Sequence, residues 1–161
     1  MTASDIPRTL ARWNLLSGNA MGRWLFTRAV CFKAPYFATI SPRILTLQPG
    51  LCVVTMPKRR AVENHIGTVH ALAAGNLCEL AAGLAIEVSL PPRLRWIPRG
   101  MTIEYLNKAT TGLRATAKID RGEWSDAENV GVPVTVTDNY QREVVRAVIT
   151  MYVAARAGSA G

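Results

Sequence analysis

Residues 69–86 read VHALAAGNLCELAAGLAI, and no other stretch constrains the fold as much. Only His70, Asn76 and Glu79 are polar among these eighteen residues. Alanine and leucine at this density favour helix. A surface helix shows one apolar stripe and one polar face, whereas this one is apolar nearly all round. It is too short and too interrupted by polar groups for a membrane span. The spacing therefore predicts a helix enclosed on nearly its whole circumference by the rest of the chain. A carboxylate inside such a wrapping is costly unless paired or neutralised, which marks Glu79 as a candidate for chemistry.

The flanking sequence supplies the enclosure. Residues 7–27 space Leu10, Trp13, Leu16, Met21, Trp24 and Leu25 as a helix does, with Gly18 and Gly22 marking a break between two short helices. Trp13 and Trp24 are expected to pack on the body. Arg8, Arg12, Arg23 and Arg28 accompany these aromatics, a combination found at membrane surfaces. The preferred reading is that these cations simply face water. Residues 35–42 read as loop. Two β-prone runs, 43–48 and 51–56, flank Pro49-Gly50 and form a hairpin. A polar turn over residues 64–70 feeds the long helix, and Pro91-Pro92 closes the connection after it. From Trp96 onward about four segments alternate apolar and polar residues with a period of two, Pro133 marking an edge or a bulge. Short turns between consecutive strands imply antiparallel pairing. The expected architecture is α+β: five to six antiparallel strands around one buried helix, with extra N-terminal helices. The expected division is a helical extension over residues 1–30, the main domain over 31–156 and a frayed tail over 157–161.

At 161 residues, 49% hydrophobic and 19% charged, the chain has a globular composition, not a disordered one. Cys31, Cys52 and Cys78 are odd in number and form no Cys-x-x-Cys pair, so neither a disulfide framework nor a metal site is expected. Reduced thiols, and an N-terminus without the basic start and apolar run of a signal peptide, suit the cytoplasm.

Asn64-x-x-Gly67-x-x-His70, followed nine residues after the His by Glu79 in an Ala/Leu-rich helix, resembles the hotdog-fold acyl-CoA thioesterases. The resemblance is strongest to the branch similar to the phenylacetate-pathway thioesterase. That branch has an Asn, then His-Gly-Gly six residues later, then Asp or Glu nine residues after the His. The segment 64–71, NHIGTVHA, also resembles a little-studied hotdog group found mostly in bacteria. Carried over by position, the resemblance implies Glu79 as general base or nucleophile and the Ala71 N–H as donor to the thioester oxygen. It implies that Asn64 positions the thioester or water and that His70 steadies the turn. The family's His-Gly-Gly is His70-Ala71-Leu72 here. An amide donor needs no side chain, so Ala71 can still serve, while Leu72 narrows the approach. The family's helper groups on later strands find no counterpart in this sequence.

Physical chemistry supports these roles. Thioester hydrolysis develops negative charge on the carbonyl oxygen, and free N–H groups at a helix start are preset donors for it. A desolvated carboxylate becomes a better base near neutral pH. From Ala71 to Glu79 is eight residues, about 12 Å along a helix. One thioester carbon cannot touch both ends, so the donor and the carboxylate must come from different copies related by a two-fold axis. The expected assembly is a homodimer, or a tetramer built as a dimer of dimers. Structural readings stand beside the catalytic ones: Asn64 and His70 can satisfy turn backbone groups, and Glu79 can pair with an arginine across an interface.

The net charge of +8 calls for an anionic partner. Coenzyme A, as part of the substrate, carries phosphates that arginine or lysine would hold. Lys58, Arg59 and Arg60 before the helix, and Arg93, Arg95, Arg99 and Lys108 around the next strand, are the candidates. Gly67, Leu72 and Asn76 complete the substrate-facing set, Asn76 as a hydrogen bonder more than a catalyst. No cofactor and no metal are expected, and no stable membrane insertion. Nucleic acid is disfavoured because aromatics do not interleave with the charges. The alternative to hydrolysis is a non-catalytic acyl-CoA or fatty-acyl binding protein on the same fold. A dehydratase is disfavoured because His70 sits at the turn and not mid-helix.

Overall fold

The computed structural model describes residues 6–120 and 122–156. The first five residues and the tail at 157–161 lie outside them. The described elements run α1 (Arg8–Leu16), α2 (Ala20–Lys33), a 3-10 turn (Pro35–Ile40), β1 (Arg43–Gln48), β2 (Leu51–Met56), a short 3-10 turn (Arg60–Val62), α3 (Ala71–Glu87), β3 (Leu94–Tyr105), β4 (Leu113–Lys118), β5 (Glu128–Asp138) and β6 (Glu143–Ala155). The helix expected from the long apolar stretch is α3. From Ala74 to Ile86 every residue is buried except Glu79, which is half-buried.

The six strands form one antiparallel sheet in the order β1-β2-β4-β5-β6-β3, and α3 touches all six. Period-two alternation explains which face meets the helix: Leu113, Ala115 and Ala117 of β4, Val130, Val132, Val134 and Val136 of β5, and Ala147, Ile149, Met151 and Val153 of β6 are all buried. Each large apolar side chain so enclosed contributes on the order of 1.5–3 kcal/mol. The twelve-residue β3 lies at the sheet edge, with Ile97, Met101 and Tyr105 exposed along it.

Several local expectations change. The break between α1 and α2 falls at residues 17–19, where Asn19 Oδ1 caps α2 by accepting from the Gly22 N–H at 2.8 Å. Gly22 is no break. It is buried in the first turn of α2, and a Cβ there would lie 1.7 Å from the Leu16 carbonyl oxygen, so only glycine lets the two helices close. Trp13 packs inward, edge-on to Phe26 at 5.2 Å. Trp24 does not: it is 51% exposed, because α2 turns Gly22, Phe26, Thr27 and Cys31 to the core. Residues 35–40 form a 3-10 turn in place of an irregular loop. Pro133 sits in an interior strand and away from its bulge, which falls between Val136 and Thr137. It lies one residue beyond the last β4 pair, Ala117 with Val134, where the β4–β5 pairing ends.

Candidate active site

The start of α3 is built by the turn before it. Asn64 Oδ1 accepts from the N–H groups of Ile66 and Thr68, each at 3.1 Å, and its Nδ2 donates to Thr68 Oγ1 at 2.8 Å. Gly67 takes φ +74°, a left-handed conformation that favours glycine, and this folds the chain back. His70 is the N-cap, its Nδ1 accepting from the Leu72 N–H at 3.1 Å, so a neutral ring carries its proton on Nε2. The His70 carbonyl accepts from the N–H groups of Ala73 and Ala74. Of the four donors in this first turn, only the Ala71 N–H has no acceptor among the described residues. Ala71 lines a cleft of about 390 Å³ together with Asn64, Tyr105 and Lys108. The Tyr105 hydroxyl donates to the Ala71 carbonyl at 3.3 Å, and burial, then the nearby Cys78, raise its pKa, which favours the protonated donor.

Glu79 lies in a second cleft, of about 260 Å³, between α2, α3 and β3. Its carboxylate makes no hydrogen bond and no ion pair among the described residues. Val30, Phe37, Leu80, Leu84 and Trp96 give the cleft apolar walls, and Lys33 stands at its side. Trp96 is held in place: its indole N–H donates to Glu87 Oε2 at 2.8 Å, and Glu87 Oε1 accepts from the Thr9 hydroxyl at 3.1 Å. The indole passes so close to α3 that a Cβ at Gly83 would meet it at 2.9 Å.

The remaining predicted residues divide. Asn76 is buried, donating to Thr39 Oγ1 at 3.3 Å and the Tyr36 carbonyl at 3.5 Å, and so ties the 3-10 turn to α3. Leu72 is 70% exposed at the helix start. Lys58 pairs with Glu63 at 2.7 Å, Arg59 donates to the Thr39 carbonyl, and Arg60 is exposed. Arg93 donates to the Trp124 carbonyl at 3.5 Å, Arg95 is exposed, and Arg99 lies 5.0 Å over the Tyr152 ring. Only Lys108 of these cations lines the cleft at Ala71. Arg95 and Arg99 belong to the half of β3 away from Tyr105 and the helix start, and Arg93 immediately precedes that half. Cys78 is buried core, and burial pushes its thiol up to about 12. His65 is exposed. Tyr105, Lys33 and Trp96 carry no sequence signal of their places at these clefts. Alternation along β3 marks which residues share a face, but nothing local marks which of them meet α3.

Residues 22–153 match the family model for a domain of unknown function, DUF4442. No curated protein matches the chain. A structural-genomics crystal structure is 44% identical, with a TM-score of 0.81 over 92% of this chain and 98% of that one. A thioesterase family protein from Silicibacter pomeroyi is 20% identical, with a TM-score of 0.70 over 80% of this chain and 96% of its own. A thioesterase from Haemophilus influenzae is 14% identical, with a TM-score of 0.68 over 78% and 87%. The fold is the hotdog fold those thioesterases share.

Proposed function

The chain belongs to the DUF4442 family, and on that footing we propose that it is a homodimeric acyl-CoA thioesterase. The observation that carries this reading is a pair of unused groups on one helix: the Ala71 N–H without an acceptor, and the Glu79 carboxylate without a partner. They are eight residues apart, about 12 Å, so each completes its site with the other copy's group. The open β3 edge is where two copies would join. An unpaired edge strand of this length is a template for pairing, and an isologous β3–β3 contact gives two equal sites.

In each site the thioester oxygen accepts from one protomer's Ala71 N–H while the partner's helix supplies the carboxylate. Glu79 takes a proton from water, the resulting hydroxide adds to the carbonyl carbon, and the oxyanion is held by the amide. Collapse expels the coenzyme A thiolate, which recovers the proton from Glu79. Direct attack by Glu79 gives a mixed anhydride that water then opens, with the same net products. The apolar cleft beside Glu79 takes the acyl chain, and Lys108 lies where the coenzyme leaves the helix start. Asn64 keeps one Nδ2 hydrogen free for the thioester or water.

The test is thiol release from a series of short, long and aromatic acyl-CoAs by wild type and Glu79→Gln. Turnover by wild type, lost in the variant with KM little changed, is expected. Tight acyl-CoA binding by wild type with no turnover at any chain length would assign the chain to acyl-CoA binding instead.

A further inference from the structure

The charge of this chain is unevenly placed. Residues 1–62 hold nine lysines and arginines and one acid, Asp5, whereas residues 63–161 hold ten basic and ten acidic residues. The whole net charge of +8 therefore belongs to the first 62 residues. The same segment carries an uncovered apolar surface. On α2, Met21, Trp24, Leu25 and Phe32 are 65%, 51%, 47% and 90% exposed. Positions 21, 25, 28 and 32 form one stripe along a helix, with Trp24 beside it and Arg28 within it. Opposite this stripe, Gly22, Phe26, Thr27 and Cys31 face the core, so α2 is apolar on both sides. Single exposed apolar residues are ordinary, but a contiguous stripe marks an interaction face. Next to it, between α2 and β1, lies a cleft of about 440 Å³ lined by Met21, Trp24 and Ile44 and flanked by Arg23 and Arg43.

We propose that this face docks the protein on an anionic lipid bilayer. Trp24, Leu25 and Phe32 enter the boundary between headgroups and acyl chains, where an amphipathic indole is at home. Arg28 and its neighbours meet lipid phosphates, and the cleft between Arg23 and Arg43 receives a phosphate headgroup. A second copy on this face is disfavoured by charge. Residues 6–62 contain no acid, so an isologous contact through this segment would set arginines against arginines. Docking is peripheral, since no helix among the described residues is long and apolar enough to cross a membrane. Trp13 packs inward as expected, but Trp24 is exposed, so the cations of α2 share their surface with an uncovered aromatic. The inference does not depend on thioester hydrolysis.

The experiment is co-sedimentation of the full chain with phosphatidylcholine vesicles, with and without phosphatidylglycerol, at low and high salt. Binding to the anionic vesicles alone, weakened by salt and accompanied by a blue shift of tryptophan emission, is expected. Arg23→Gln and Arg43→Gln should each weaken it about fivefold, the equivalent of about 1 kcal/mol per cation. Trp24→Ala with Phe32→Ala should weaken it about tenfold or more. Arg95→Gln, at the opposite edge of the sheet, should leave binding intact, and unchanged melting curves would show that each variant is folded. Absence of binding to anionic vesicles at low salt would overturn the proposal, as would equal binding by the Trp24 and Phe32 variants. So would a concentration-dependent oligomer that Trp24→Ala dissolves, since that would assign the face to a second copy.

Discussion

Ala71→Pro removes a single hydrogen from the proposed site and little else. Ala71 is the first residue of α3, and proline is well tolerated at that position because its N–H has no helical acceptor. Here that N–H has no acceptor of any kind among the described residues, so the substitution breaks no internal hydrogen bond. The residue before a proline must be extended, and His70 already has φ −62° and ψ 138°. Stability should therefore hold or rise by about 0.4–1 kcal/mol, through the narrower unfolded ensemble. Losing one preorganised oxyanion donor costs about 2.7–4 kcal/mol, or about 10²–10³ in kcat. Thiol release measured over a range of acyl-CoA concentrations, beside a thermal melt, reads both quantities. Full activity in a folded Ala71→Pro protein would refute the oxyanion assignment. The same variant tests where the groups come from. Mixed by unfolding and refolding with Glu79→Gln, it forms hybrid dimers in which one site has lost both groups and the other has kept both. An equal mixture should regain about a quarter of wild-type activity. No recovery would mean that both groups of a site lie on one chain.

Three further outcomes follow from the packing and the charges. Gly22→Ala drives a Cβ into the Leu16 carbonyl, a backbone atom that cannot step aside, and should cost at least the upper end of the ~1–3 kcal/mol usual for overpacking, read from urea denaturation midpoints. Trp96→Ala opens the slot along Gly83, and kcat/KM should shift toward longer acyl chains by about fourfold for each extra methylene buried, at ~0.8 kcal/mol each; an unchanged chain-length profile would remove Trp96 from the acyl pocket. Asp138 is buried, which alone would raise its carboxyl. Hydrogen bonds from the Arg142 and Tyr140 N–H groups and from the Arg142 guanidinium outweigh this and hold it below the usual carboxylate range. Its stabilising contribution is thus complete above the unfolded value of about 3.9 and is lost as pH falls through the lower folded value. Melting temperatures taken into the acid range should fall less steeply for Asp138→Asn than for wild type.

The layout of the fold was legible because it rests on short-range periodicities. The apolar run that became α3, the Pro-Gly hairpin and the period-two strands β4, β5 and β6 are each dictated by neighbours a few residues apart. The turn at Asn64, Gly67 and His70 was legible for the same reason: its bonds link residues two to four apart. The oxyanion candidate could be located on sequence because a helix start leaves donors free wherever it occurs. Matters that needed distant residues were not legible. Tyr105 reaches Ala71 from thirty-four residues away, and Trp96 reaches Glu87 across the turn between helix and strand. The cations before α3 and those along β3 look like one rim in sequence. In space Lys58 is taken up by Glu63, Arg59 by the Thr39 carbonyl and Arg99 by the Tyr152 ring.

The sequence by itself determined that one nearly unbroken apolar helix must be wrapped by strands, and that an amide and a carboxylate about two turns apart on it could not serve one carbon in one copy. Both conclusions need only the residue types and the rise of a helix. Tertiary structure alone decided which side of α2 is inside. A helix with apolar residues on both faces carries no internal sign of orientation. Here the close contact of Gly22 with Leu16 and of Phe26 with Trp13 settled it, leaving Trp24 and Phe32 facing out.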